Sequence, residues 1–210
     1  MSSELRHQIG SKMSDTVYDD VALVDLDGTI ADFDGEMSRR MALLRSPDEV
    51  SYDGIYEGDD LPPYIRERRK LVKNRPGFWR TLPRLELGFQ IIDTLLEIGF
   101  KINILSKGPR LVPAAWQEKF EWCCEHVPYA SITLTQQKSL TYGRILVDDF
   151  PDYFLPWLKV RPRGLVIAVA QPWNEKIVHP NLIRYDGTNL ETVRGLIIDA
   201  YARNPRSPFG

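Results

Sequence analysis

Two carboxylates two residues apart, Asp25 and Asp27, follow directly on the apolar run Val21-Ala22-Leu23-Val24 and precede Gly28. In extended backbone alternate residues point to the same side, so both acids are aimed one way. One such carboxylate can attack phosphorus, provided a divalent cation relieves the repulsion between two anions. The other can protonate the leaving oxygen and then activate water. Gly28 allows a sharp turn that brings backbone amides to face a phosphate. The plain alternative is a solvated Asp-Gly turn, and this four-residue pattern by itself also arises by chance.

Other polar residues stand at the ends of other apolar runs. Ser106 and Lys107 close Ile102-Asn103-Ile104-Leu105, and a hydroxyl with an ammonium suits the binding of a phosphoryl group. Taken alone, Ser-Lys-Gly-Pro is an ordinary loop. Lys138, in Thr135-Gln136-Gln137-Lys138, reads singly as a solvated loop lysine. Asp148 and Asp149 follow Ile145-Leu146-Val147, and such a pair invites a hard, oxygen-preferring cation. One acid there is a helix cap, but two adjacent ones are costly without a cation or a lysine to offset them.

The elements that must position these groups are short, branched and strand-length: 21–24, 102–105, 144–147 and 165–169, with a weaker run at 131–134. Continuous apolar runs of this length are expected of strands buried on both faces of a parallel sheet. Helical spacing covers Leu87 to Ile98 and Pro113 to His126. Strands alternating with helices predict a doubly wound α/β sheet, whose ligands sit at the carboxyl ends of the strands. The charged, aromatic stretch 34–80 breaks the rhythm and reads as a small helical cap over a core formed by 19–33 and 81–202. Residues 1–18 and 203–210 read as tails.

Composition limits the function classes. A formal net charge of −2 over 210 residues provides no general field for a nucleic-acid backbone or an anionic membrane, so no stable nucleic-acid partner is expected and an anionic small molecule must be caught locally. The two cysteines, Cys123 and Cys124, are neighbours and outline no disulfide framework. No apolar stretch approaches the ~18 residues of a membrane span. The expectation is a cytoplasmic protein; a homodimer is left open. The three histidines are scattered without ligand spacing, which gives zinc no support.

In order, the run ending in Asp25-Leu26-Asp27-Gly28-Thr29, the strand-end Ser106, Lys138 and the strand-end Asp148-Asp149 resemble the four motifs of the haloacid dehalogenase superfamily of phosphohydrolases. That resemblance implies that Asp25 is a nucleophile forming an aspartyl-phosphate and Asp27 the general acid and base, with Ser106 and Lys138 steadying the phosphoryl oxygens. It implies Mg2+ held by a carboxylate oxygen of Asp25, the backbone carbonyl of Asp27 and the carboxylate of Asp148, with Asp149 supporting Lys138 or a water on the metal. Arg75-Pro76-Gly77-Phe78-Trp79, Ala115-Trp116-Gln117-Glu118-Lys119-Phe120 and Asp148-Asp149-Phe150-Pro151-Asp152 are further similar to the 5′(3′)-deoxyribonucleotidase branch, the cytosolic type C nucleotidases. There a small helical cap contributes aromatic side chains that stack on the base. Phe33 fits that role, and Phe78 and Trp79 are candidates, with core packing as their plain alternative.

Departures from the branch bear on substrate choice. Ser106-Lys107-Gly108-Pro109 replaces Thr-Ser-Pro, Gln136 stands where relatives carry arginine, and a basic residue near the start of the following helix is missing, a charge Lys107 or Arg110 could supply. The run Arg66-Glu67-Arg68-Arg69-Lys70 reads as a solvated helix face, and Trp173 as either pocket rim or core cap. The expected activity is hydrolysis of nucleoside monophosphates. The alternatives are a phosphatase of the same superfamily acting on a sugar phosphate or a 3′-phosphate nucleic-acid end, and a phosphate-binding protein without turnover.

Overall fold

The computed structural model describes residues 20–51 and 61–203. Six strands, β1 (Val21–Val24), β2 (Lys101–Ser106), β3 (Ser131–Leu134), β4 (Ile145–Val147), β5 (Leu165–Val169) and β6 (Leu182–Tyr185), form one sheet in the order β3-β2-β1-β4-β5-β6. Every pairing is parallel. The doubly wound sheet expected from the sequence is therefore present. Its sixth strand, Leu-Ile-Arg-Tyr, went unread because a four-residue edge strand carrying an arginine lacks the continuous apolar run that marks the central strands.

Alternation within each strand divides the core in two. Ala22, Val24, Ile102, Ile104, Ile145, Val147, Ile167 and Val169 face one side. They pack there against α3 (Glu86–Ile98), α4 (Pro113–His126) and α6 (Leu190–Ala202). Leu23, Leu105, Leu146, Val166 and Ala168 face the other, covered by Phe154, Trp157 and Leu158 of α5 (Pro151–Val160). A helix on each face of the central strands is what allows an all-parallel sheet to be apolar on both sides.

The cap comprises α1 (Phe33–Leu43) and α2 (Pro63–Lys73), which pack on each other; residues 52–60 of the expected cap, like the tails at 1–18 and 204–210, lie outside the described residues. Helix α1 begins one residue before the expected boundary, because Asp32 caps it by accepting a hydrogen bond from Gly35 N at 2.9 Å. The chain leaves the core at Asp32 and returns at Pro83, and the two crossings are pinned together: Asp32 N donates to Pro83 O and Leu85 N to Ile30 O, each at 2.8 Å. Among the described residues no helix is long and apolar enough to cross a membrane.

The site loop after β1 rests directly on α3. A Cβ at Gly88 would fall on the carbonyl oxygen of Thr29 and press Ile30, so only glycine lets the helix approach this closely. Gly88→Ala is expected to lower stability by about 1–3 kcal/mol through overpacking, despite alanine's better helix propensity. Gly195→Ala, on the exposed face of α6 with open space around the new methyl, should instead stabilise by about 0.5–1 kcal/mol. Opposite shifts in thermal melting check the pair.

Candidate active site

The carboxyl ends of β1 and β4 lie side by side because Val24 pairs with Val147, and the backbone N–H of Asp25 continues that pairing by donating to Val147 O at 2.8 Å. Asp25 and Asp148 thus leave adjacent strands together, at the point where the sheet order reverses direction from β1. Between them sits the ammonium of Lys138, 2.7 Å from Oδ2 of Asp25 and 2.7 Å from Oδ2 of Asp148. Lys138 occupies a one-turn 3-10 helix, Lys138–Leu140, and is only 3% exposed. It is not the solvated lysine that its loop composition suggests. Asp149 is buried as well and accepts a hydrogen bond from the Thr29 hydroxyl at 3.1 Å.

Three buried carboxylates share this place. Oxygen atoms of Asp25, Asp148 and Asp149 all lie within 4.8 Å of one another. Burial, reinforced by the nearby Asp25 charge and opposed by Lys138, raises the Asp148 carboxyl to about 7. Burial together with Asp148 and Asp25 holds Asp149 well above the usual carboxylate range. Burial works against the charge of Lys138, yet Asp148 and Asp25 outweigh it and keep its proton bound more tightly than usual. One ammonium does not balance three carboxylates, and three hard oxygen donors that converge in this way fit a divalent cation. Gly28, at φ +72°, packs so closely on this group that a Cβ would stand 2.6 Å from Asp149 Oδ2; the turn needs glycine both for its backbone and for this approach.

Asp27 faces the same side as Asp25 and is partly exposed. Lys119 donates to its Oδ2, and the same ammonium also donates to Lys107 O at 2.8 Å and to Ser106 Oγ at 3.3 Å. The other Asp27 oxygen, Oδ1, makes no hydrogen bond. Burial raises the Asp27 carboxyl above its ordinary value, with Lys119 opposing and Asp25 adding to the shift.

Sequence reading passed over Lys119, looking instead to Lys107 or Arg110 for a basic residue on this side. A signal was present: in α4 the buried positions are Ala115, Lys119, Trp122 and Cys123, so a lysine occupies the apolar stripe, where a charge needs a partner. Arg110 is exposed and stands apart from the cavity.

A cavity of about 340 Å³ opens over these groups, with Asp25, Asp27, Lys107, Lys119, Lys138 and Asp149 in its wall. Phe33 and Trp79 line it from the cap side, stacked on each other with centroids 5.2 Å apart and planes 20° from parallel. The ammonium of Lys119 lies 4.5 Å from the centroid of the Trp79 ring. Phe78 does not line the cavity: it is wholly buried and meets both rings edge-on, the core packing weighed as its alternative. Ser106 and Asp148 are wholly buried behind the wall. Glu118 holds the end of the cap, accepting from Gly77 N at 2.7 Å and Trp79 N at 3.1 Å.

The solvated-face reading of the basic run holds for Arg66 and Lys70 but not for Arg69. Arg69 is buried and lines the cavity with Lys73, one helical turn further on. Gln136 turns away to donate to Gly108 O at 2.7 Å. Trp173 is on the rim, together with Phe150 and Tyr153 of the α5 start.

The family described as 5′ nucleotidase, deoxy (Pyrimidine), cytosolic type C protein matches residues 19–198. No curated protein matches the sequence. Among solved structures, a HAD family hydrolase from Deinococcus radiodurans with bound phosphate and sodium is similar at TM-score 0.54 and 11% identity, over 91% of this chain and 100% of that one. A HAD hydrolase, family IA, variant 3, from Entamoeba histolytica is similar at TM-score 0.50 and 11% identity, over 88% and 100% of the two chains. At such identity these likenesses speak for the fold. The family match, spanning nearly the whole chain, carries the rest: this chain belongs to the cytosolic type C deoxy-5′-nucleotidase family and is a phosphoric monoester hydrolase of the 5′-nucleotidase type, built on the fold of the HAD hydrolases.

Proposed function

We propose that this chain hydrolyses deoxyribonucleoside monophosphates by double displacement through Asp25, with Mg2+ as cofactor. The observation that carries the reading is the division of labour between two neighbouring acids that face one cavity. Asp25 is held by Lys138, whereas Asp27 is held by Lys119 through one oxygen only. The deoxy and pyrimidine terms in the family's description and the aromatic cap side of the cavity support a nucleotide over a sugar phosphate.

A carboxylate oxygen of Asp25 attacks phosphorus, the bond from phosphorus to the ester oxygen breaks, and that oxygen takes the proton of Asp27, whose raised carboxyl suits a donor. Asp27 then accepts a proton from water as the water oxygen attacks the aspartyl-phosphate, releasing phosphate and restoring Asp25. Lys138 and Lys107 face the phosphoryl oxygens across the cavity, and Ser106 acts from behind through Lys119. Carboxylates of Asp25, Asp148 and Asp149, with the backbone carbonyl of Asp27, would hold Mg2+, which supplies charge neutralisation for the incoming dianion.

Phosphate release from a panel of deoxy- and ribonucleoside monophosphates, sugar phosphates and a 3′-phosphorylated oligonucleotide tests the reading. Turnover concentrated on the deoxynucleotides, lost with chelator, is expected; turnover confined to sugar phosphates or to the oligonucleotide end would sink the substrate assignment. Mg2+ at about 100 times its Kd should also raise the melting temperature, consistent with roughly 2.7 kcal/mol of linkage.

Asp25→Asn should reduce turnover by roughly 10³-fold or more without lowering the melting temperature, because it removes one of three crowded carboxylates. Residual activity near wild type would refute Asp25 as nucleophile. Lys119→Met should reduce kcat by about 10²-fold on alkyl phosphates and much less on p-nitrophenyl phosphate, whose leaving group needs no proton. Equal losses on the two esters would remove Lys119 from the support of Asp27.

A further inference from the structure

The cap rings are poorly placed to be the whole of the leaving-group site. Phe33 and Trp79 are 8% and 6% exposed, and each gives one face to the other. The opposite wall is different. Phe150 and Trp173 are both half-buried and line the cavity, with centroids 6.3 Å apart and planes tilted by 57°. Tyr153, beside Phe150, presents its ring to the ammonium groups of Lys107 and Lys138, at 4.9 and 4.7 Å from the centroid.

Both half-buried rings are anchored to the catalytic floor. Phe150 N donates to Asp148 Oδ1 at 2.9 Å, which fixes the backbone that carries its ring. The indole N–H of Trp173 donates to Asp149 O at 2.9 Å, and Asn174 Nδ2 donates to the same oxygen at 2.8 Å. Two large rings held rigid beside a reactive centre, with part of their apolar surface left towards the cavity, form a platform for a flat aromatic group. Little conformational freedom remains to be lost when such a group stacks there.

We infer that the core itself supplies the principal stacking wall, with Phe150 the specificity-determining ring and Trp173 its support, so that monoesters with an aromatic leaving portion are selected over purely aliphatic ones. The inference rests on the nucleotidase reading for the identity of that aromatic portion, a nucleobase, but not for the wall itself.

The test compares Phe150→Ala, Phe150→Leu and Phe150→Tyr on two matched pairs: a deoxynucleoside 5′-monophosphate against deoxyribose 5-phosphate, and phenyl phosphate against glycerol phosphate. Phe150→Ala and Phe150→Leu should raise KM about 5- to 100-fold for the aromatic member of each pair, with kcat and the aliphatic member nearly unchanged. Phe150→Tyr should behave as wild type. Equal changes on both members, no change on either, or full rescue by leucine would overturn the inference. A selective effect on phenyl phosphate without turnover of any nucleotide would uphold the wall and reject the nucleotidase reading.

Discussion

Everything in this site is arranged around a charge imbalance: Asp25, Asp148 and Asp149 are buried together against the single ammonium of Lys138. Parallel pairing of β1 with β4 forces the first two of these into proximity, since both are the first residue past their strand. Apolar residues of the two strands cannot relieve the repulsion, so relief must come from Lys138, from retained protons and from a cation. The same imbalance that burdens the folded chain prepares it to receive a divalent metal and then a phosphate dianion.

The rest of the molecule keeps this arrangement rigid and dry. Helices on both faces bury the strands that end in the acids, and Gly88 lets α3 sit hard against the loop that follows Asp27. Helix α4 does two jobs from neighbouring residues: Lys119 reaches inward to Asp27 and Ser106, and Glu118 grips the backbone of the cap's return turn at Gly77 and Trp79. The group that orients the second acid and the ring beside the leaving group are thereby fixed by one turn of helix. Such second-layer contacts decide whether a reacting group is held within the tolerance that phosphoryl transfer requires.

The walls of the cavity divide by origin. Cap residues arrive through two crossings pinned at Asp32 and Pro83, and their rings pack on one another as a small core of their own. Core residues at the start of α5 and after β5 are tied instead to the backbone of the acid pair. A leaving group in this cavity therefore meets one wall that belongs to the cap and one that belongs to the catalytic floor.

The order of acids, hydroxyl and lysine at the ends of apolar runs was enough to specify a parallel α/β sheet and the reactive edge on which Asp25, Asp27, Lys138 and Asp148-Asp149 meet. This was legible because buried parallel strands must be continuous apolar runs and because ligands of such sheets gather at strand ends. Only the tertiary structure decided what faces what. Lys119 lies nearly a hundred residues from Asp27, and Arg69 sits in a run whose neighbours are solvated. Phe78 and Trp79 are adjacent, yet one is sealed in the core and the other lines the cavity. Spacing along the chain reports the side of an element on which a residue falls; whether that side meets water, core or a reacting phosphate depends on the packing of distant elements.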